Sequence, residues 1–183
     1  MDIAAILKWL EATALATQIR ESLFLFPFAE AAHVIGLALV FGTILVLDLR
    51  LLGFASSERP FGKVAGDILK VTWIGFAIAV ITGALMFITN ADVYFHNTYF
   101  RVKMLLLALS GVNMAAFEVT ARKSVQEWDT AKSAPRSGRI VATCSLVLWI
   151  SIIFTGRLIG FTTSRAAQAP PAQQDVNFDD LLK

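Results

Sequence analysis

Residues 23–55, LFLFPFAEAAHVIGLALVFGTILVLDLRLLGFA, decide how the chain is read. From Phe24 to Leu47 the run is almost continuously apolar. As a helix it is long enough to cross a hydrocarbon layer of about 30 Å. It nevertheless carries Glu30 and His33 near one end and Asp48 and Arg50 at the other. A core helix of a water-soluble domain needs no run this long, and a passive anchor needs no histidine. The stretch predicts an integral membrane protein with ionisable side chains at membrane depth.

The composition agrees. The 183 residues are 56% hydrophobic and 16% charged, where soluble domains carry roughly a quarter charged residues, and the mean hydropathy is +0.65. A net charge of +2, with Lys and Arg scattered around apolar blocks, offers no nucleic-acid surface. The single cysteine, Cys144, lies inside an apolar run, so there is no internal disulfide, no CxxC, no zinc framework and no CxxCH attachment site for haem. No GxSxG, HExxH or phosphate-cradling glycine loop is present, which disfavours a hydrolase.

Four apolar segments of spanning length are expected as helices over about 23–49, 67–89, 100–120 and 140–163. The fold class is therefore all-α integral membrane, an antiparallel four-helix bundle over residues 21–163. Residues 1–20 make a poor signal peptide, because Asp2 stands where a basic region belongs and Lys8 and Glu11 interrupt the apolar core. Ile3, Ile6, Leu7, Leu10 and Ala14 recur at helical spacing, which predicts an amphipathic helix in the membrane interface. A terminal helix packed on the bundle fits the same pattern. Residues 164–183, rich in Ala, Gln, Pro and Asp, read as a flexible tail, with DVNFDDLLK as an alternative docking helix. Gly75, Ala79 and Gly83 recur every four residues on the second helix, and Gly156 and Gly160 on the fourth. That spacing predicts close helix contacts, within the bundle or between protomers.

Nine of the 16 basic residues fall in two connections, Arg50 to Lys70 and Arg122 to Arg139. The positive-inside rule places both in the cytoplasm and both termini outside, for a multi-pass protein of a bacterial inner membrane. At about 100° per residue, Glu30 and Asp48 are in angular register and His33 lies about 60° away, so the three form a stripe expected to face the bundle interior. By depth, Glu30, His33, His96, Lys103 and Arg157 collect in the outer half, and the inner half is bland. Asn113 adds a polar group on the third helix, and Glu118 and Arg122 form an ordinary i,i+4 pair.

Three readings fit this asymmetry. A b-type haem would take His33 as axial ligand and His96 as a second, with Arg157 and Lys103 on the propionates. A copper-type metal site would use His33, Glu30 and His96 or a Met. In the third, His33 hydrogen-bonds a neighbour and pins the bundle. Function is accordingly expected to be a small haem-binding or redox-associated membrane subunit, or else a non-catalytic scaffold. Either would lie in the lipid bilayer beside a second copy or another membrane or periplasmic subunit.

The runs HVIGLALVFGTILVLDLRLLG, ITGALMF, FRVKMLLLALSGVNMAAFE and LWISIIFTGRLIGF carry a resemblance over residues 22–163, with DLRLLG and TGRLIG its most specific parts. The chain resembles an uncharacterised family of four-helix bacterial inner-membrane proteins, and is more distantly similar to CopD-like and HemJ-like membrane proteins. That likeness implies haem b binding or copper handling. It matches His33 to a first-helix His and Lys103 to a third-helix Lys. Asn113 stands near the place where some of those relatives would have a His, which leaves one haem at most and argues against porphyrinogen oxidation.

Overall fold

The computed structural model describes residues 2–55 and 58–168. Four of its helices are long and apolar enough to cross a membrane. They are α3 (Leu25–Leu52), α4 (Phe61–Thr89), α6 (Thr98–Thr120) and α8 (Arg136–Gln168). Two short helices precede them, α1 (Ile3–Glu11) and α2 (Ala14–Glu21). Two more sit in connections, α5 (Ala91–His96) and α7 (Val125–Trp128), the latter after a 3-10 turn over Arg122–Ser124.

The expected segments exist but are longer than hydropathy indicated. α4 starts at Phe61 rather than near 67, and α8 at Arg136 rather than near 140. Hydropathy marks the part of a helix that suits hydrocarbon, whereas the backbone ladder continues through Lys63, Asp67 and Arg139 until a cap stops it. α3 stops at Gly53, whose φ of +84° is the left-handed conformation that closes a helix C-terminus. α6 starts at Asn97, whose carboxamide oxygen accepts from the Tyr99 and Phe100 amides at 2.9 and 3.2 Å. The tail expected over 164–183 begins as a continuation of α8, and from residue 169 it lies outside the described residues.

The single N-terminal helix expected over 1–20 is two helices. Thr13 Oγ1 accepts from the Ala16 amide at 3.3 Å, capping a second start. Both helices pack on the protein, burying Leu7, Ala16 and Ile19, while Ile3 and Trp9 stay exposed. Glu11 Oε1 accepts from the Asp92 amide at 2.9 Å, and Arg20 donates to the Thr89 carbonyl at 2.9 Å. Glu11, one of the charges that spoil a signal peptide, thus ties this segment to α5, and Arg20 ties it to the end of α4.

α3 packs most extensively on α4, α6 on α8, and α3 on α8. Along the first seam His33 meets Ala79, Gly36 meets Gly75 and Ala79, and Thr43 meets Thr72 at 2.9 Å, so numbers ascend on α3 as they descend on α4. Along α6–α8, Asn97 meets Thr162, Lys103 meets Gly156, and Asn113 donates to the Val141 carbonyl at 3.1 Å. α4 and α6 meet through rings near both ends, Phe87 on Phe100 at 5.3 Å and Phe61 on Phe117 at 5.9 Å. The middle is filled by Val40, Trp149 and Ile152, the Phe61 end by Leu51, Phe61, Trp128 and Ala142.

The connections after α3 and before α8 meet around Arg50, which is 0% exposed. Its guanidinium donates to the carbonyls of Arg59 (3.0 Å), Asp129 (3.1 Å), Ala131 (3.0 Å) and Lys132 (3.4 Å). One planar fork therefore satisfies four loop acceptors that helices and strands do not. Arg50→Met should cost about 3 kcal/mol by leaving the Arg59, Ala131 and Lys132 carbonyls without their donor, while the Asp129 carbonyl keeps the Phe61 amide at 2.9 Å. Arg50→Lys should recover only part of that, read as thermal unfolding of the detergent-solubilised chain by circular dichroism.

The glycines of the α3–α4 seam supply a second test. A Cβ at Gly36 would lie 2.9 Å from the Ala79 backbone nitrogen, and one at Gly75 2.8 Å from Leu39 Cβ. Gly36→Ala or Gly75→Ala should destabilise by about 1–3 kcal/mol. Gly42→Ala and Gly111→Ala, where a Cβ would meet nothing within 4 Å, should leave the same melt unchanged or raise it slightly.

Candidate functional site

The polar residues singled out in the sequence fall into two groups at opposite ends of α3. At the end expected to be outer, His33 is half-buried in the α3–α4 seam. Its Nδ1 lies 2.8 Å from the Ala79 carbonyl and 3.1 Å from Thr82 Oγ1. A carbonyl only accepts, so in the neutral ring Nδ1 carries the hydrogen and Nε2 the lone pair. The ring rests on Gly83, where a Cβ would stand 3.0 Å from Cε1. The four-residue spacing of Gly75, Ala79 and Gly83 is thus used within the chain. The first two accept the α3 backbone, and the last seats an imidazole.

Lys103 is seated in the same way on the other side. A Cβ at Gly156 would lie 3.5 Å from its Nζ and 3.8 Å from Cε. The side chain is half-buried, it has no hydrogen-bond acceptor among the described residues, and it is the cationic group whose field reaches His33. His33 Nε2 also lacks a hydrogen-bond partner among the described residues.

The remaining outer residues do not join them. Glu30 is exposed, contrary to the expectation that it faces the interior. The stripe is covered by neighbours at Asp48 and half-covered at His33, but at Glu30 it is exposed among the described residues. Its charge reaches Tyr94 on α5 instead. His96 is exposed at the end of α5, with Nδ1 3.0 Å from the Asp92 carbonyl and 3.4 Å from its carboxylate. Arg157 is exposed, and its guanidinium stacks 4.7 Å over Phe161, one turn along its own helix. Arg157 and Lys103 sit at similar depth, but Gly156 is the residue that faces Lys103, and Arg157 is turned about 100° away.

This geometry bears on the porphyrin reading. The tethered Nδ1 and uncommitted Nε2 of His33 are what a ligating imidazole needs. Of the other three residues expected around the group, Lys103 is near enough for its charge to reach His33, whereas His96 is turned to Asp92 and Arg157 to Phe161. Phe87, Tyr94 and Phe100 occupy the space between α4, α5 and α6 with centroids 5.3–6.4 Å apart. A porphyrin held by two histidines does not fit these residues. No cluster of three or more His, Cys, Asp or Glu that could hold a metal occurs among the described residues.

The inner group is not bland. Asp48 is 5% exposed, and its Oδ2 has no hydrogen-bond partner among the described residues. Ser145 on α8 is its polar neighbour. Asn113 links α6 to Val141 of α8, and the Glu118–Arg122 pair forms as expected on the α6 surface. Arg50, which the sequence presented as one more basic loop residue, is the polar centre of this end. The available signal was the DLR spacing, since residues two apart face opposite sides of a helix and cannot neutralise one another.

A family model matches residues 3–162, and the chain belongs to that family, DUF6644, a family of unknown function. The match is consistent with the resemblance to an uncharacterised family and lends nothing to the likeness with CopD-like or HemJ-like proteins. No curated protein and no solved structure matches the chain.

Tyr94 gives the outer end a titratable reporter. Burial first, and the Glu30 charge second, push its phenol above the ordinary value, which is about 10. The stabilisation linked to this shift is present below that ordinary value and is lost as pH rises through the folded one. In a Tyr99→Phe background, ultraviolet difference titration should place phenolate formation above pH 10. Glu30→Gln should bring the midpoint down by removing the negative neighbour.

Proposed function

We propose that this family member is a non-catalytic integral membrane subunit, a scaffold whose intramembrane polar side chains hold its helices together. The carrying observation is where those side chains are spent. Arg50 serves four backbone carbonyls, His33 the Ala79 carbonyl, and Asn113 the Val141 carbonyl. They act as ties between elements rather than as walls of one shared cavity, and ties of this kind in lipid are worth roughly 0.5–2 kcal/mol each. The chain is read as an antiparallel four-helix bundle in a bacterial inner membrane. The loops around Arg50 lie in the cytoplasm and both termini are periplasmic, in keeping with the clustering of basic residues there. Gly42, Gly111 and Gly160 are open to the outside of the helices. They leave flat places for a second copy or another membrane or periplasmic subunit to approach.

A second reading keeps a specific observation. Because the Ala79 carbonyl orients His33, its Nε2 is available as a single axial ligand. On that reading the subunit is redox-associated and holds one haem b through His33, with no role for His96.

The test is an absorption spectrum of the detergent-purified chain, oxidised and then dithionite-reduced, after expression with ample haem, together with gentle co-purification. The scaffold reading expects no stoichiometric Soret band, a near-normal yield of His33→Ala with a lower melting temperature, and a retained second copy or partner. A Soret band with reduced α and β bands that disappears in His33→Ala would replace it with the haem reading. A reporter fused at either terminus should be active only in a periplasmic format, and the opposite pattern would invert the topology.

A further inference from the structure

The groove between the end of α3 and the first two turns of α8 has no part in the polar ties described above. It is an open, shallow groove of about 430 Å³ lined by Leu52, Phe54, Ile140 and Cys144, with Arg136 and Arg139 at its rim. Two features give it a chemistry. Arg136 and Arg139, three apart on one helix face, are exposed and form no ion pair among the described residues. Beside them the lining turns apolar, with Ile140 on α8 55% exposed and Phe54, just after α3, 81% exposed.

We infer that this groove binds an anionic phospholipid, the headgroup phosphate held by Arg136 and Arg139 and one acyl chain laid along Ile140, Cys144 and Leu52. The inference rests on the membrane reading of the fold. At 1.5 Å per residue, Arg136 to Cys144 spans about 12 Å along the helix. That distance carries a lipid from its charged headgroup to the start of its hydrocarbon. Guanidinium forks match phosphate oxygens in pairs, and basic pockets between membrane helices on the cytoplasmic side are suited to acidic headgroups. A soluble anion would use the arginines and leave Phe54 and Ile140 idle, whereas a lipid uses both halves.

The full-length chain in neutral detergent is titrated with phosphatidylglycerol or phosphatidylcholine, and retained lipid is counted by native mass spectrometry. Phosphatidylglycerol should be retained in preference. R136Q/R139Q should weaken its retention about tenfold or more, the loss expected for two charge-assisted contacts. Cys144→Phe, which fills the apolar half without altering charge, should weaken it as well, so the inference stays testable if the arginine variant folds poorly. R122Q/K123Q, on the same side but outside the groove, should behave as the parent. Equal retention of the two lipids, or an equal loss in R122Q/K123Q, overturns the inference. Displacement of the lipid by millimolar inorganic phosphate would reduce the site to a plain anion site and overturn it too. Failure of the membrane reading would show separately, as a chain that leaves the membrane fraction without detergent.

Discussion

At the crossing of α3 and α4 two backbones touch, and the rest of the molecule is hung from that contact. Gly36 and Gly75 lie so close that a Cβ on either would stand about 3 Å from backbone of the other helix. In lipid, tails are as apolar as leucine and give helices no hydrophobic reason to associate, so close packing has to supply the attraction. The contact also fixes heights. One turn outward from Gly36, His33 comes level with the Ala79 carbonyl, and two turns inward Thr43 comes level with Thr72. Separating the two helices by the width of a methyl group would lengthen both bonds together, so the polar ties depend on the glycines and not the reverse.

At the other end of α3 the constraint is electrical. Loops that turn at a membrane surface leave carbonyls with no helical partner, and buried ones are costly unless something donates to them. Arg50 does this for both inner connections at once, which is why a fully buried guanidinium is tolerated there without a carboxylate. Asp48, two residues earlier, points the other way round the helix toward α8 and keeps one oxygen unpartnered. The two charges are neighbours in sequence and not in space. Trp128 closes the same end, donating from Nε1 to the Ala121 carbonyl while its ring packs 5.2 Å from Phe61.

How much of this was legible depends on whether a feature is set by depth or by azimuth. The four long helices follow from apolar runs, and their contacts through Gly75 and Ala79 follow from small residues at helical spacing, so both could be read in advance. The short helices α1, α2 and α5 could not, because a cap such as Thr13 and a tether such as Glu11 to Asp92 decide them, and hydropathy is silent about both. The outer polar group shows the limit most sharply. Depth correctly put Lys103 and Arg157 at one level, but which of Gly156 and Arg157 faces α6 is a matter of one residue's rotation. That rotation turns an expected propionate partner into an exposed cation over Phe161. His96 failed for a related reason, since a loop residue has no helical azimuth to predict and α5 turns it toward Asp92.

The outer site can then be argued from what its glycines are for. Gly83 lacks the side chain that would crowd the imidazole lying on it, and at Gly156 a Cβ would come into ordinary contact with the lysine stem. Both spaces are filled by the chain's own residues, which is the economy of a packed scaffold. Yet the filling stops at two atoms, His33 Nε2 and Lys103 Nζ, for which the described residues furnish no partner. At membrane depth, where the proposed reading puts them, such half-buried atoms would be costly unless something outside the chain met them. On the proposed scaffold reading, these two atoms mark where a group from outside the chain would meet it. The two proposed readings of function therefore differ less in the site they describe than in what would be brought to it, a neighbouring subunit's polar group or a haem iron on Nε2.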